Sequence, residues 1–250
     1  MEILQVIYRF AFDINDIYDP SVFVWTKLAY VFGFSTPTLA DSHSDIELEI
    51  AKQFADYLWE LSLTEIFSQT SGLQIPRMPD ISEGLNLGKF AHMKECRSLQ
   101  ATILSEIAGI LDAMESDFRN IFAYLYESRT GRKTSLSELS SSDSPQKFSN
   151  IIYQSFQRKR LTTELPSIKI PATIHACIRF DQRRRYKPND IHDIGHATAA
   201  LPYFDAFLTE HSLRHLLTRE DLALDRLYGC TVISDPSEAI ESLTAMVAEE

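Results

Sequence analysis

Residues 189–217 read NDIHDIGHATAALPYFDAFLTEHSLRHLL, and this stretch decides the fold. Asn189 suits the cap of a helix from about Asp190 to Leu201, and Pro202 stops it. FDAFLT, 204–209, is a short apolar run with turn signals at each end, which predicts a buried strand. Thr209 is then placed to cap a helix over about Glu210 to Leu217. Downstream, CTVIS at 230–234 is β-branched and uncharged, a second buried strand. DPSE follows, with Asp235 as cap, Pro236 in the first turn and Glu238 three residues on, before AIESLTAMV. Upstream, Pro171 can open a helix that runs through Phe180. Helix, strand, helix, strand, helix implies parallel strands joined by crossovers, an α/β unit. In such sheets a ligand binds beyond the carboxyl ends of the strands. Those ends fall at 207–210 and at the turn after Ser234.

Away from this unit the chain reads as helical. Residues 46–69, IELEIAKQFADYLWELSLTEIFSQ, place Leu48, Ala51, Ala55, Leu58 and Phe67 at three- and four-residue steps among acidic positions, an amphipathic helix. A stretch punctuated by proline and glycine separates it from a second helical region over about Lys89 to Tyr126. Ile103, Ile107, Ile110, Leu111 and Met114 repeat there at helical spacing, with Gly109 as a point of interruption. SRTGRKTSLSELSSSDSPQ, 128–146, is Ser-rich and reads as an exposed loop or connection. The expected organisation is a mainly helical region over 1–127, a Ser-rich loop over 128–147 and a C-terminal α/β part over 148–250, together one composite domain.

Composition bounds the function. The 250 residues are 44% hydrophobic and 24% charged, an ordinary globular balance. No apolar run reaches the roughly 18 to 20 residues that span a bilayer. Arg9, Asp13, Asp16 and Asp19 interrupt the first twenty residues, which argues against a secretory signal. Cys96, Cys177 and Cys230 are odd in number and far apart, so they suit buried thiols in a cytoplasmic protein, not a disulfide framework or a metal knuckle. Eight glycines and no Gly-rich phosphate loop set nucleotide cradles of that type aside.

A net charge of −11 speaks against coating nucleic acid through the overall field. The charge is unevenly spread. Residues 1–150 carry 12 Lys+Arg against 21 Asp+Glu, while the remainder carries 12 against 14. Arg158, Lys159 and Arg160 form one basic knot. Arg179, Arg183, Arg184, Arg185 and Lys187 form a denser one, interrupted by Asp181. Such runs are commonly solvated helix ends. The second one, however, stands immediately before an acidic helix, where its cations can hold a nucleic-acid backbone.

Asp190 and Asp193 are three apart, so their carboxylates share a face at the start of the helix, and Asp205 and Glu210 flank the next strand. Carboxylates gathered at strand ends repel one another unless a cation joins them. Mg²⁺ or Mn²⁺ suits such an all-oxygen site and bridges carboxylates to phosphate oxygens. The plainer reading is that Asp190 supports a helix start and Asp205 a turn.

Asp193, the small residues Ala197, Thr198, Ala199 and Ala200, and the run Tyr203-Phe204-Asp205-Ala206-Phe207-Leu208-Thr209-Glu210 together resemble the C-terminal half of PIN-like nucleases. The resemblance covers roughly the last 90 residues. It implies a three-layer α/β/α fold with a parallel sheet, here beside a largely α-helical N-terminal region. It also implies a carboxylate cluster that binds Mg²⁺ or Mn²⁺ and hydrolyses RNA, or single-stranded DNA, at phosphodiester bonds. Asp193, Asp205 and Glu210 take the catalytic and metal-binding places, with Asp190 as a supporting ligand. Many such proteins are bacterial toxins or defence nucleases, so an antitoxin or other protein partner, and oligomers, are implied. Glu210-His211 stands where the family usually has an aspartate after the threonine. The family's opening strand ends in Asp, and its nearest counterpart is FAFDIN, 10–15, preceded by Arg9. Either Asp13 is that first acid and metal ligand, or the chain begins after the first strand. A mid-chain acid is also expected, with Glu47 and Glu106 both open.

Two other readings accompany this one. A catalytically degenerate PIN-like chain would act as a protein-interaction module, using its acidic helical region on a basic partner. His192-Asp193 with His175 and His196 evokes an HD-type metal phosphohydrolase. His211 and His215 lack the glutamate of a zinc protease motif, and Cys177 has no evident partner base.

Overall fold

The computed structural model describes residues 79–132 and 144–248, with isolated positions between 53 and 68. Asp13 and Glu47 lie outside the described residues, as does most of the Ser-rich stretch. The expected helix over 46–69 falls largely outside them too. Where it is described it is not continuous: Leu61 is a bend and Ser62 is non-helical. The Ser62 N–H donates to Glu65 Oε2 at 2.8 Å and the Glu65 N–H to Ser62 Oγ at 3.3 Å. This reciprocal capping box starts a new helix where apolar spacing alone reads straight through.

Next come α1 (Ser82–Ala91), a 3₁₀ turn (Met93–Glu95), α2 (Leu99–Ala113) and α3 (Glu115–Thr130). The helical region expected over 89–126 is thus several pieces. Ser98 accepts the Ala101 N–H at 3.2 Å and caps α2, and Met114 breaks α2 from α3. Gly109 lies inside α2 without interrupting it. Gly131, at φ 66°, ends α3 in the left-handed conformation that a glycine adopts without a Cβ penalty. After the undescribed residues, α4 (Ser144–Gln157) begins where a loop is expected.

The central element is α5 (Pro166–Phe180). It starts five residues earlier than Pro171 suggests, because Pro166 occupies the first turn and Pro171 stands inside the helix. An interior proline costs about 3 kcal/mol. Burial offsets it, since Ile168, Ile170, Ala172, Ile174 and Ile178 are all almost fully buried, and each isoleucine contributes about 1.5–3 kcal/mol. A helix with apolar residues on two flanks must be covered on both. One flank, with Ile168 and Ala172, joins Ile107, Leu111, Phe118 and Ile152 in the core between α2, α3 and α4. The other, with Ile170, Ile174 and Ile178, packs on the C-terminal unit.

That unit runs α6 (Asp190–Ala200), β1 (Ala206–Leu208), α7 (His211–Leu217), α8 (Leu224–Tyr228), β2 (Thr231–Ile233) and α9 (Pro236–Ala248). The strands pair in parallel, Ala206 with Thr231, Phe207 with Val232 and Leu208 with Ile233. Most of the described chain is therefore helical, with a two-stranded parallel sheet, a mixed α/β architecture. Caps differ in detail from expectation. Asn189 has helical backbone angles, φ −81° and ψ −18°, and its side chain makes no cap bond. The N-cap of α7 is Glu210, not Thr209. Asp235 does cap α9, its Oδ1 accepting the Ser237 and Glu238 N–H groups at 2.9 and 3.0 Å. No helix of the described residues is long and apolar enough to cross a membrane.

Candidate nucleic-acid and metal site

α6 enters β1 through a short turn, so its first residues return to the carboxyl end of the sheet. Asp193 is half-buried there. Its carboxyl pKa is raised, first by burial and then by the charges of Glu210 and Asp190, with His196 and His192 acting the other way. The charges of Asp190, at the start of α6, and of Glu210, the N-cap of α7, thus both reach Asp193. Glu210 is exposed and accepts a hydrogen bond from the Ser212 hydroxyl at 2.5 Å.

Asp190 is held differently. It is 4% exposed, its Oδ1 takes Arg184 Nη2 at 3.2 Å, and its Oδ2 takes the Lys187 N–H at 2.8 Å. A buried carboxylate needs such partners. This one is neutralised by the turn in front of its own helix, which leaves Asp193 and Glu210 as the accessible acids. Asp205 is exposed at the other end of the strand, where its carbonyl accepts the Thr231 N–H at 2.7 Å. Five residue steps of extended chain separate it from Glu210, roughly 16 Å. Glu210 is thus within electrostatic reach of Asp193, while Asp205 stands at the opposite end of the strand from Glu210. Among the described residues, no three His, Cys, Asp or Glu side chains converge as a ready metal-binding group.

The five cations also divide. Arg179 pairs with Glu106 of α2, the candidate mid-chain acid, and Arg184 with Asp190. Arg183, Arg185 and Lys187 are exposed, and the Arg185 guanidinium lies 5.4 Å from the centre of the Phe90 ring.

What shapes this basic turn is a residue the sequence does not mark. Lys89, on α1, is 3% exposed. Its Nζ donates to the carbonyls of Ile178 at 2.7 Å, Asp181 at 2.5 Å and Arg184. It satisfies the C-terminal end of α5 and ties down the turn that carries the arginines. Burial lowers its pKa, and Asp181 opposes that shift. Asn86, three residues earlier, clamps the Tyr186 backbone through two 2.9 Å bonds. A lysine whose acceptors are some 90 residues downstream carries no local pattern.

The histidines are dispersed. His175 on α5 holds the Tyr186 hydroxyl at 3.0 Å through Nδ1, and burial lowers its pKa. His192 and His196 are exposed on α6. His211 Nδ1 lies 3.5 Å from Ser234 Oγ, and His215 is exposed. Cys177 and Cys230 are buried free thiols, both pushed up to about 11 by burial, and Cys96 is half-buried. Poorly ionised thiols make weak nucleophiles.

With this geometry in view, comparison with protein-family models, with curated proteins and with solved structures found no match.

Proposed function

We propose that the chain is a metal-dependent nuclease of PIN-like, three-layer type, cutting RNA phosphodiester bonds in the cytoplasm with Asp193 and Glu210 as its central acids. The observation that carries the reading is the half-buried Asp193 carboxylate, raised in pKa by burial and by Glu210 and Asp190 at the carboxyl end of a parallel sheet.

The donor set fits Mg²⁺ or Mn²⁺. These hard cations are commonly held by one or two carboxylates together with water and substrate phosphate, which Asp193 and Glu210 match without a third acid. The bound ion would supply an activated water and neutralise charge developing at phosphorus. The chain's own residues do the rest. Arg184 and the Lys187 N–H hold the Asp190 side chain in place. Asp190 in turn fixes the start of α6, which aims Asp193. Exposed Arg183, Arg185 and Lys187 hold substrate phosphates as point charges, without reading sequence.

Incubating the purified chain with RNA and Mn²⁺ tests this. Cleavage should appear, and Asp193→Ala and Glu210→Ala should each lower it about a hundredfold or more. Cleavage that survives Asp193→Ala would place the chemistry elsewhere. If no RNA is cut with either metal, the alternative is a degenerate nuclease fold that binds a protein partner, a reading favoured by the internal neutralisation of Asp190.

A further inference from the structure

A second site lies on the far side of the basic turn. A cleft of about 390 Å³ opens between α1, α2 and the end of α5. That is the lower part of the size range for small-ligand sites, enough for a nucleotide unit and little more. α1 and α2 line it with Gly84, Gly88 and Gly109 beside Leu85, Ile110 and Ala113, and α1 also brings Lys89 and His92 to it. A Cβ built on any of the three glycines meets no atom within 4 Å, so each faces open space. Glu106, Arg179, His175 and Tyr186 complete the lining.

Helical glycines cost about 1 kcal/mol each against alanine, and nothing packed against these three requires them. The Glu106–Arg179 pair is only 16% and 22% exposed, so both ions have lost much of their water at the cleft wall. A glycine-lined cleft that includes a desolvated carboxylate and guanidinium suits a planar heterocycle that carries both N–H donors and acceptors. Guanine carries both, with N1–H and N2–H₂ on its Watson–Crick edge for a carboxylate and O6 and N7 on its Hoogsteen edge for a guanidinium. Unstacked single-stranded bases are recognised in this way.

Position agrees with chemistry. Tyr186 lines the cleft from within the basic turn, between exposed Arg185 and Lys187. The Asp190 charge acts on both His175 and Tyr186, so the cleft and the carboxylate end of α6 are electrostatic neighbours across the Arg184–Asp190 pair.

We propose that this cleft binds one guanine base of a single-stranded RNA, with the adjoining phosphates on Arg183, Arg185 and Lys187, so that it positions the strand for the Asp193–Glu210 site. The proposal deepens the nuclease reading and rests on it for the source of the base.

The test uses the full chain carrying Asp193→Asn, to prevent cleavage, with fluorescence anisotropy on labelled RNA hexamers containing one guanine or none, and calorimetry with GMP and AMP. The guanine-containing hexamer should bind about tenfold or more tightly than the guanine-free one, the discrimination expected of one good bidentate pair. Gly109→Leu fills the cleft and should abolish the preference without lowering Tm. Glu106→Gln should bring the two hexamers to near equality. A preference that persists in Gly109→Leu, or equal binding of both hexamers by the parent, overturns the proposal. GMP bound in preference to AMP with no hexamer bound upholds the guanine cleft and overturns the RNA reading. Binding of neither hexamers nor GMP overturns both.

Discussion

Asp193 shows how a single side chain can oppose the fold that holds it. Its folded pKa is raised by burial, Glu210 and Asp190, so the ionised form is disfavoured in the folded state relative to the unfolded one. The native state then binds the proton more tightly, and the contribution of this group to stability improves as pH falls through the raised value. Asp193→Asn removes the penalty. The variant should melt above the parent at pH 7, the gap closing on acidification and vanishing below the unfolded value of about 3.9. Paired thermal melts from pH 7 to 3.5 check this, and a variant that melts lower at neutral pH would show that the carboxylate is stabilising in the fold. A gain in stability joined to loss of cleavage is the pattern expected where function retains a costly charge. Lys89 is penalised in the same sense, burial lowering its pKa even though three carbonyls accept from its ammonium.

Among the elements, α9 illustrates local chemistry that is legible without the fold. Asp235, Pro236 and Glu238 mark its start, and the Asp235 carboxylate does accept two first-turn N–H groups. Arg214 of α7 then reaches Glu238 through bonds of 2.7 and 2.9 Å and ties the two helices that leave the carboxyl ends of the strands. Asp235→Ala should cost about 1 kcal/mol, within the usual range for an N-cap, read as a lower urea midpoint with unchanged slope. A change below about 0.3 kcal/mol would mean that water replaces the cap without loss. Pro171 marks the limit of local reading. Its ring predicts a boundary by local rules, but the two cores flanking α5 bury enough isoleucine to carry the helix through it. Apart from α8 (Leu224–Tyr228), which the sequence reading does not include, the order of strands and helices from 190 to 248 was legible because short uncharged runs and caps are local signals. The division of 82–130 into separate helices turned on Ser98 and Met114, which apolar periodicity does not register.

For the molecule as a whole, charge placement matters more than the net −11. The five cations of 179–187 look equivalent in sequence, but Arg179 and Arg184 face Glu106 and Asp190, leaving Arg183, Arg185 and Lys187 outward. Three phosphate contacts on a single strand predict that log K falls with log salt at a slope of roughly 2. Titrations between 50 and 300 mM salt check this, and a slope near 4 would mean that Arg179 and Arg184 leave their carboxylates to meet RNA. By itself the sequence determined the parallel βαβ-type order, the acidic start of α6 and the basic run before it, because each depends on residues close in the chain. Only tertiary structure decided that the Glu210 charge acts on Asp193, that Lys89 holds the arginine turn, and that three glycines and an ion pair line one cleft. The reason is physical: desolvation and Coulomb coupling act through space, and no spacing rule along the chain reports which distant groups folding will bring within a few ångströms.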